Sequence, residues 1–139
     1  MRVFLDANIL FSAAKSDGAV RDLLARVRAG GHTLCADGYV VAEARRNLEA
    51  KGAEALTALT LLLSRLDVAP FHATELPRDA AALLPEKDWP VLAAAIRSGC
   101  EVLVTGDRTH FGALYGKTVA RVTIHSPRSL AEALLQQQP

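Results

Sequence analysis

The sequence predicts an α/β fold, a parallel sheet with helices on both faces, and three observations carry that reading. Short runs rich in Val, Leu and Ile alternate with amphipathic helical stretches, and the connections between them are brief. Half the residues are apolar but only 5% are aromatic, a mix that suits helices laid on a strand-rich sheet better than two stacked sheets. Parallel strands also need a crossover between them, and the helical stretches supply it.

The first strand, residues 2–5, reads RVFL and is followed by Asp6 and Asn8, residue types that bond their own backbone and favour turns. A helix is expected over 17–30, with Val20, Leu23, Leu24 and Val27 on one face, Asp17 as its start signal and Gly30-Gly31 as its stop. After a strand at 33–36, helices at 38–50 and 53–66 are broken by Lys51-Gly52 and suggest a helical hairpin. Leu56, Leu59, Leu62 and Leu63 of its second arm offer surface for a partner or for self-association, although core burial is the commoner fate of such leucines. A strand at 68–71 precedes a Pro-containing stretch, 72–87, read as a loop with about one helical turn. The helix at 88–98 tolerates Pro90 because amides of a first turn lack partners, and it stops at Gly99. Strands at 101–105 and 120–124 follow. The last helix starts near Ser126-Pro127 and carries Leu130, Leu134 and Leu135, and the terminal QQQP is expected to fray.

The 139 residues are expected to form one domain, 1–139, able to bury a core without metal or disulfide staples. Cys35 and Cys100 lie in or beside apolar segments without metal-ligand spacing, which predicts buried reduced thiols. The longest apolar run, around 59–63, is too short to span a bilayer and no charged-then-apolar leader precedes the first strand, so a cytoplasmic protein without a membrane partner is expected. With 16 basic and 15 acidic residues the chain lacks the charge to grip duplex nucleic acid by electrostatics alone. That balance still permits an acidic cleft with a basic rim.

In an open parallel sheet, ligands gather beyond the carboxyl ends of the strands. Asp6 stands just past the first strand, and Asp107 closes the run Val-Leu-Val-Thr-Gly-Asp. Asp88 sits where a helix starts. Its ordinary role there would be the N-cap, which stabilises a helix by about 0.5–2 kcal/mol. Glu43 falls in the first turns of the helix after the second strand, where a solvent-facing glutamate is the commoner case. Helix starts and strand carboxyl ends meet at one edge, so the four acids can converge, and unpaired they would repel one another unless a cation intervened. Hard oxygen ligands with no His or Cys at hand suit Mg²⁺ or Mn²⁺.

Asp6-Ala-Asn8 after an apolar strand, Glu43 in a Val-Ala-Glu helix start, Asp88 three residues before Val-Leu-Ala-Ala-Ala, and Val-Thr-Gly-Asp-Arg-Thr-His-Phe together resemble the PIN domain, over essentially the full length. The resemblance implies a three-layer α/β/α fold with a central parallel sheet of four to five strands. It implies a metal-dependent ribonuclease, with Asp6, Glu43, Asp88 and Asp107 holding one or two Mg²⁺ or Mn²⁺ ions that activate water at an RNA phosphodiester. Asn8 and Thr105 fall where such domains keep polar residues that orient the carboxylates. Several relatives carry an acid in the place of His110, which leaves two readings open: a weaker second-metal environment here, or a histidine that contacts substrate. Many small members are toxins of toxin–antitoxin pairs, so an antitoxin partner and a homodimer are expected as well.

Arg45, Arg46, Arg108, Lys87 and Lys117 are candidates for the rim that holds RNA. No basic stretch interleaved with aromatics is present to read single strands by stacking. Other chemistries fit less well. A phosphatase with a phosphorylated Asp6 usually needs a second acid where Asn8 stands, a receiver domain needs a lysine after its last strand, and no glycine-rich phosphate loop opens a helix. The remaining alternative is a PIN-like scaffold that binds RNA or protein without catalysis.

Overall fold

The computed structural model describes residues 1–73 and 75–137, so part of the terminal QQQP lies outside the described residues. Strand β1 (Arg2–Leu5) occupies the middle of the sheet, between β2 (Thr33–Asp37) and β4 (Val102–Val104). Beyond β2 lies β3 (Asp67–Ala69), and beyond β4 lies β6 (Val122–His125), all five strands being parallel. A two-residue strand, β5 (Thr118–Val119), pairs antiparallel with β6 and makes the order β3-β2-β1-β4-β6-β5. The sheet therefore has six strands, five parallel as expected and one short antiparallel edge that carries too few residues to show a pattern.

Val3, Phe4 and Leu5 of β1 are fully buried, so the strand has no polar face and reads as a continuous apolar run. Phe4 stands level with Cys35 on one side and Leu103 on the other, which fixes the register at the centre. Cys35 and Cys100 are free and buried, as expected.

The helices are α1 (Ala7–Lys15), α2 (Ala19–Ala29), α3 (Gly38–Leu48), α4 (Ala53–Leu63), α5 (Arg78–Ala81), α6 (Trp89–Arg97), α7 (Arg108–Phe111) and α8 (Pro127–Gln136). The first two crossovers run outward from β1 to β3, whereas the third returns from β3 to β4. Right-handed connections then place α1 to α4 on one face and α6 on the other, which gives three layers. In agreement, α1 packs against α3 and α4, while α6 packs on β2 and β4. None of the described helices is long and apolar enough to cross a membrane.

Helix α1 has no counterpart in the expected elements. It opens on Asp6, whose side chain accepts from the Ala7 amide, and buries Ile9, Leu10, Ala13 and Ala14. Apolar residues on most sides of a nine-residue helix blur the period that identifies longer ones. The expected helix at 53–66 ends at Leu63, and the expected third strand at 68–71 is displaced to Asp67–Ala69, because Pro70 has no amide to donate to a ladder. Leu59 of α4 is buried and Leu56, Leu62 and Leu63 pack partly on the core, so core burial accounts for the leucines set aside for a partner.

The expected strand at 120–124 begins two residues later. Ala120 and Arg121 form instead the turn between β5 and β6, with φ of 48° and 71°, and Val119 pairs with Val122 across it. A two-residue hairpin turn of this hand favours Asn-Gly, and each side chain held in the left-handed region is strained. The double substitution Ala120→Asn, Arg121→Gly is expected to stabilise the protein by about 1 kcal/mol and to raise Tm by roughly 3–6 °C. An unchanged thermal melt would show that the turn carries no such strain.

Candidate metal centre and acidic cleft

Each acid is presented by an element that ends or begins at the carboxyl edge of the sheet. Asp6 continues β1 by one residue, its amide donating to the Val104 carbonyl at 3.0 Å. Its carboxylate is 6% exposed and heavily bonded: Oδ1 accepts from the Ala7 amide at 2.7 Å, and Oδ2 accepts from the Thr105 hydroxyl at 2.8 Å and from Asn8 Nδ2 at 3.3 Å. Burial raises its pKa to about 6, the Thr105 and Ala7 bonds oppose that rise, and the charges of Glu43 and Asp88 add to it. The last contribution places those two acids within electrostatic reach of Asp6.

Asn8 and Thr105 both bond the Asp6 carboxylate. Thr105 is fully buried and touches Asp6, Asn8 and the Asp107 amide. Asn8 Oδ1 accepts from the Gly106 amide at 2.8 Å, and a Cβ on Gly106 would stand 3.3 Å from that oxygen, so a bare residue lets the β4 loop close on Asn8. Tyr115 completes the brace by donating its hydroxyl to the Thr105 carbonyl at 2.8 Å. The sequence carries no signal for Tyr115, because this bond depends on how α7 and the turn after it fold back.

Asp88 ends a 3-10 turn, Glu86–Asp88, that runs directly into α6, so its backbone is helical and its side chain makes no cap hydrogen bond. The carboxylate turns instead toward α7, where Oδ2 lies 2.9 Å from His110 Nδ1. Burial raises its pKa, the neighbouring His110 opposes this, and the charge of Asp107 reinforces it. Asp107 does cap, its Oδ1 accepting from the His110 amide at 3.1 Å, while Oδ2 lies 3.0 Å from His110 Nδ1. Asp88 Oδ2 and His110 Nδ1 are buried without an aligned hydrogen-bond partner, so the approach is close but off the line that a hydrogen bond requires.

One ligand atom each from Asp88, Asp107 and His110 falls within 4.8 Å of the others. Glu43 and Asp6 are not in this tight group. Glu43 is half-buried on α3 and lines an open cleft of about 280 Å³ with Ala7, Asn8, Phe11 and Asn47. His110, read from sequence as a candidate for substrate contact, thus stands among the acids and sets an imidazole nitrogen beside the carboxylate oxygens. Its place follows from α7, a single turn of four residues that puts His110 three positions after Asp107 on the same side. Arg45, Arg46, Lys87, Arg108 and Lys117 are exposed. Arg46 reaches the Tyr39 phenol electrostatically, and Arg108 the Tyr115 phenol.

The PIN domain family model matches residues 2–109. Among solved structures, VapBC2 from Rickettsia felis bound to a DNA fragment from its promoter aligns at a TM-score of 0.62 with 17% identity, over 91% of this chain and 98% of that one. VapC20 of Mycobacterium tuberculosis, described as a toxin that cleaves the sarcin-ricin loop, aligns at 0.56 with 15% identity, over 80% and 94% of the two chains. No curated protein matches the sequence significantly. At these identities the structural likeness speaks for the fold, and the family assignment rests on the sequence match that spans most of the chain, including Asp6, Glu43, Asp88 and Asp107: the chain belongs to the PIN domain family.

Proposed function

We propose that this protein is a metal-dependent ribonuclease that hydrolyses phosphodiester bonds in RNA, and that it is the toxin of a toxin–antitoxin pair. The observation that carries the reading is the gathering of Asp88 with Asp107 and His110 into one group, beside Asp6 and Glu43. A structural role alone gives no reason to gather like charges at one edge.

The donor set fits a divalent cation. Asp88 Oδ2 and His110 Nδ1 are buried without aligned partners, and the surrounding ligands are hard carboxylate oxygens with one imidazole, a combination open to Mg²⁺ and more so to Mn²⁺. Asp88, Asp107 and His110 would hold the ion most directly, with Asp6 and Glu43 adjoining. When bound, such an ion supplies neutralising charge and Lewis-acid polarisation at a phosphodiester. Asn8, Thr105 and Tyr115 keep the Asp6 carboxylate and the β4 loop in one orientation, and a rigid strand end holds a ligand better than a mobile loop does. The exposed Arg45, Arg46, Lys87, Arg108 and Lys117 bind the RNA backbone, which an acidic cleft without cations repels.

The toxin assignment draws on the likeness to VapBC2 and VapC20, and it brings with it an antitoxin partner, a homodimer and a cytoplasmic site of action. The test is incubation of the purified chain with mixed RNA in Mg²⁺, in Mn²⁺ and in excess chelator. Cleavage in either metal and none in chelator is expected. Absence of cleavage in every condition would favour the non-catalytic scaffold.

A further inference from the structure

The sequence offers no basic stretch interleaved with aromatics, but the fold assembles an aromatic pair from residues far apart in the chain. Tyr39 lies in the first turn of α3, one helical turn before Glu43, so the two side chains share a face with Cβ atoms about 5–6 Å apart. Asn47 follows one turn later, and Glu43 and Asn47 line the cleft against Asn8 and Phe11. Phe71 comes from the segment after β3, and its ring centroid is 5.5 Å from that of Tyr39 at a tilt of 32°. Gly38 makes the approach possible, since a Cβ there would stand 3.2 Å from the Phe71 amide nitrogen. Phe71 is nevertheless 48% exposed, a large apolar ring held against a second ring and left open to solvent.

We propose that Tyr39 and Phe71 form a stacking platform for one nucleobase of a single-stranded RNA, next to the acidic cleft. The inference rests on the nuclease reading and narrows its substrate to RNA with unpaired bases. A π-face accepts any base, whereas a duplex keeps its base faces inside the stack. The pair adjoins Glu43 on the same helix face, so a base stacked on it is continuous with a chain lying in the cleft that Glu43 lines. Arg46, exposed on α3 within electrostatic reach of the Tyr39 phenol, supplies the positive charge that a neighbouring phosphate needs.

The test measures binding of labelled, unstructured RNA oligonucleotides by fluorescence anisotropy, in chains that all carry Asp107→Asn so that the RNA stays intact. Adding Phe71→Ala is expected to weaken binding about 5- to 100-fold, and Phe71→Trp to preserve it. Removing one base from the oligonucleotide should weaken binding to the parent by a similar factor and have no further effect with Phe71→Ala, the signature of a coupled pair. Phe71→Leu, which keeps apolar bulk but not the ring, serves if Phe71→Ala alters the melt. Equal affinity with and without the ring, no binding by the parent, or a preference for duplex would each overturn the platform. So would loss of a protein partner on Phe71→Ala with RNA binding intact. Cleavage of RNA by the wild-type chain judges the nuclease reading separately: binding through Phe71 without cleavage keeps the platform and sinks the nuclease.

Discussion

Asp6→Asn is expected to raise the stability of the metal-free protein at pH 7 while reducing RNA cleavage by about 10³-fold. The stabilising half follows from the pKa of Asp6, raised from 3.8 to about 6. A folded state that holds the proton more tightly than the unfolded one is favoured below pH 3.8, loses that advantage as pH rises toward 6, and carries the full penalty above it. Asparagine removes the penalty and keeps an oxygen for the Ala7 amide but loses the bonds that Oδ2 accepts from Thr105 and Asn8, so a net gain of about 1 kcal/mol is expected at pH 7, shrinking toward pH 4. Thermal melts of both chains in chelator between those pH values measure it, and a less stable variant at pH 7 would contradict this account. The expected loss of activity reflects the removal of a charge beside the proposed cation site, worth several kcal/mol in catalysis at 1.36 kcal/mol per tenfold.

Asp107→Asn separates folding from function more cleanly. Its Oδ1 caps α7 by accepting from the His110 amide, which an asparagine oxygen does equally well, and its Oδ2 belongs to the group with Asp88 and His110. The variant is expected to melt within about 1 kcal/mol of wild type in chelator, to lose the rise in Tm that Mg²⁺ or Mn²⁺ gives the wild-type chain, and to cleave RNA about 10³-fold more slowly. A metal-induced stabilisation equal to that of wild type would remove Asp107 from the binding set.

Much of this architecture was legible because β1 and β4 are unbroken apolar runs ending in Asp6 and Thr105-Gly-Asp107, and because α2 and α3 keep a regular stripe. Asp88 was only half legible. An acid before a helix gives the same signal whether it caps or binds a ligand, and only the direction of its side chain decides between the two. The approach of His110 to Asp88 and Asp107 escaped because α7 is too short to show a period, α1 because it is apolar on most sides, and the pairing of Tyr39 with Phe71 because contacts between distant segments leave no local trace. The turn at Ala120-Arg121 misled in the opposite sense, since neither residue carries the Gly or Asn that marks such a turn.

Asp6 and Asp107 are delivered by the sheet, Glu43 by a helix coating one side of it and Asp88 by a helix coating the other. Mutual repulsion among them therefore pushes whole strata apart and not merely side chains. At the amino ends of the strands the charges are paired within the sheet, Arg2 of β1 meeting Asp67 of β3 at 2.8 Å. At the carboxyl ends, on the proposed reading, a counter-ion adds to the bonds of Thr105, Asn8 and Tyr115, and the layers on that side then tighten or loosen with the ion's supply.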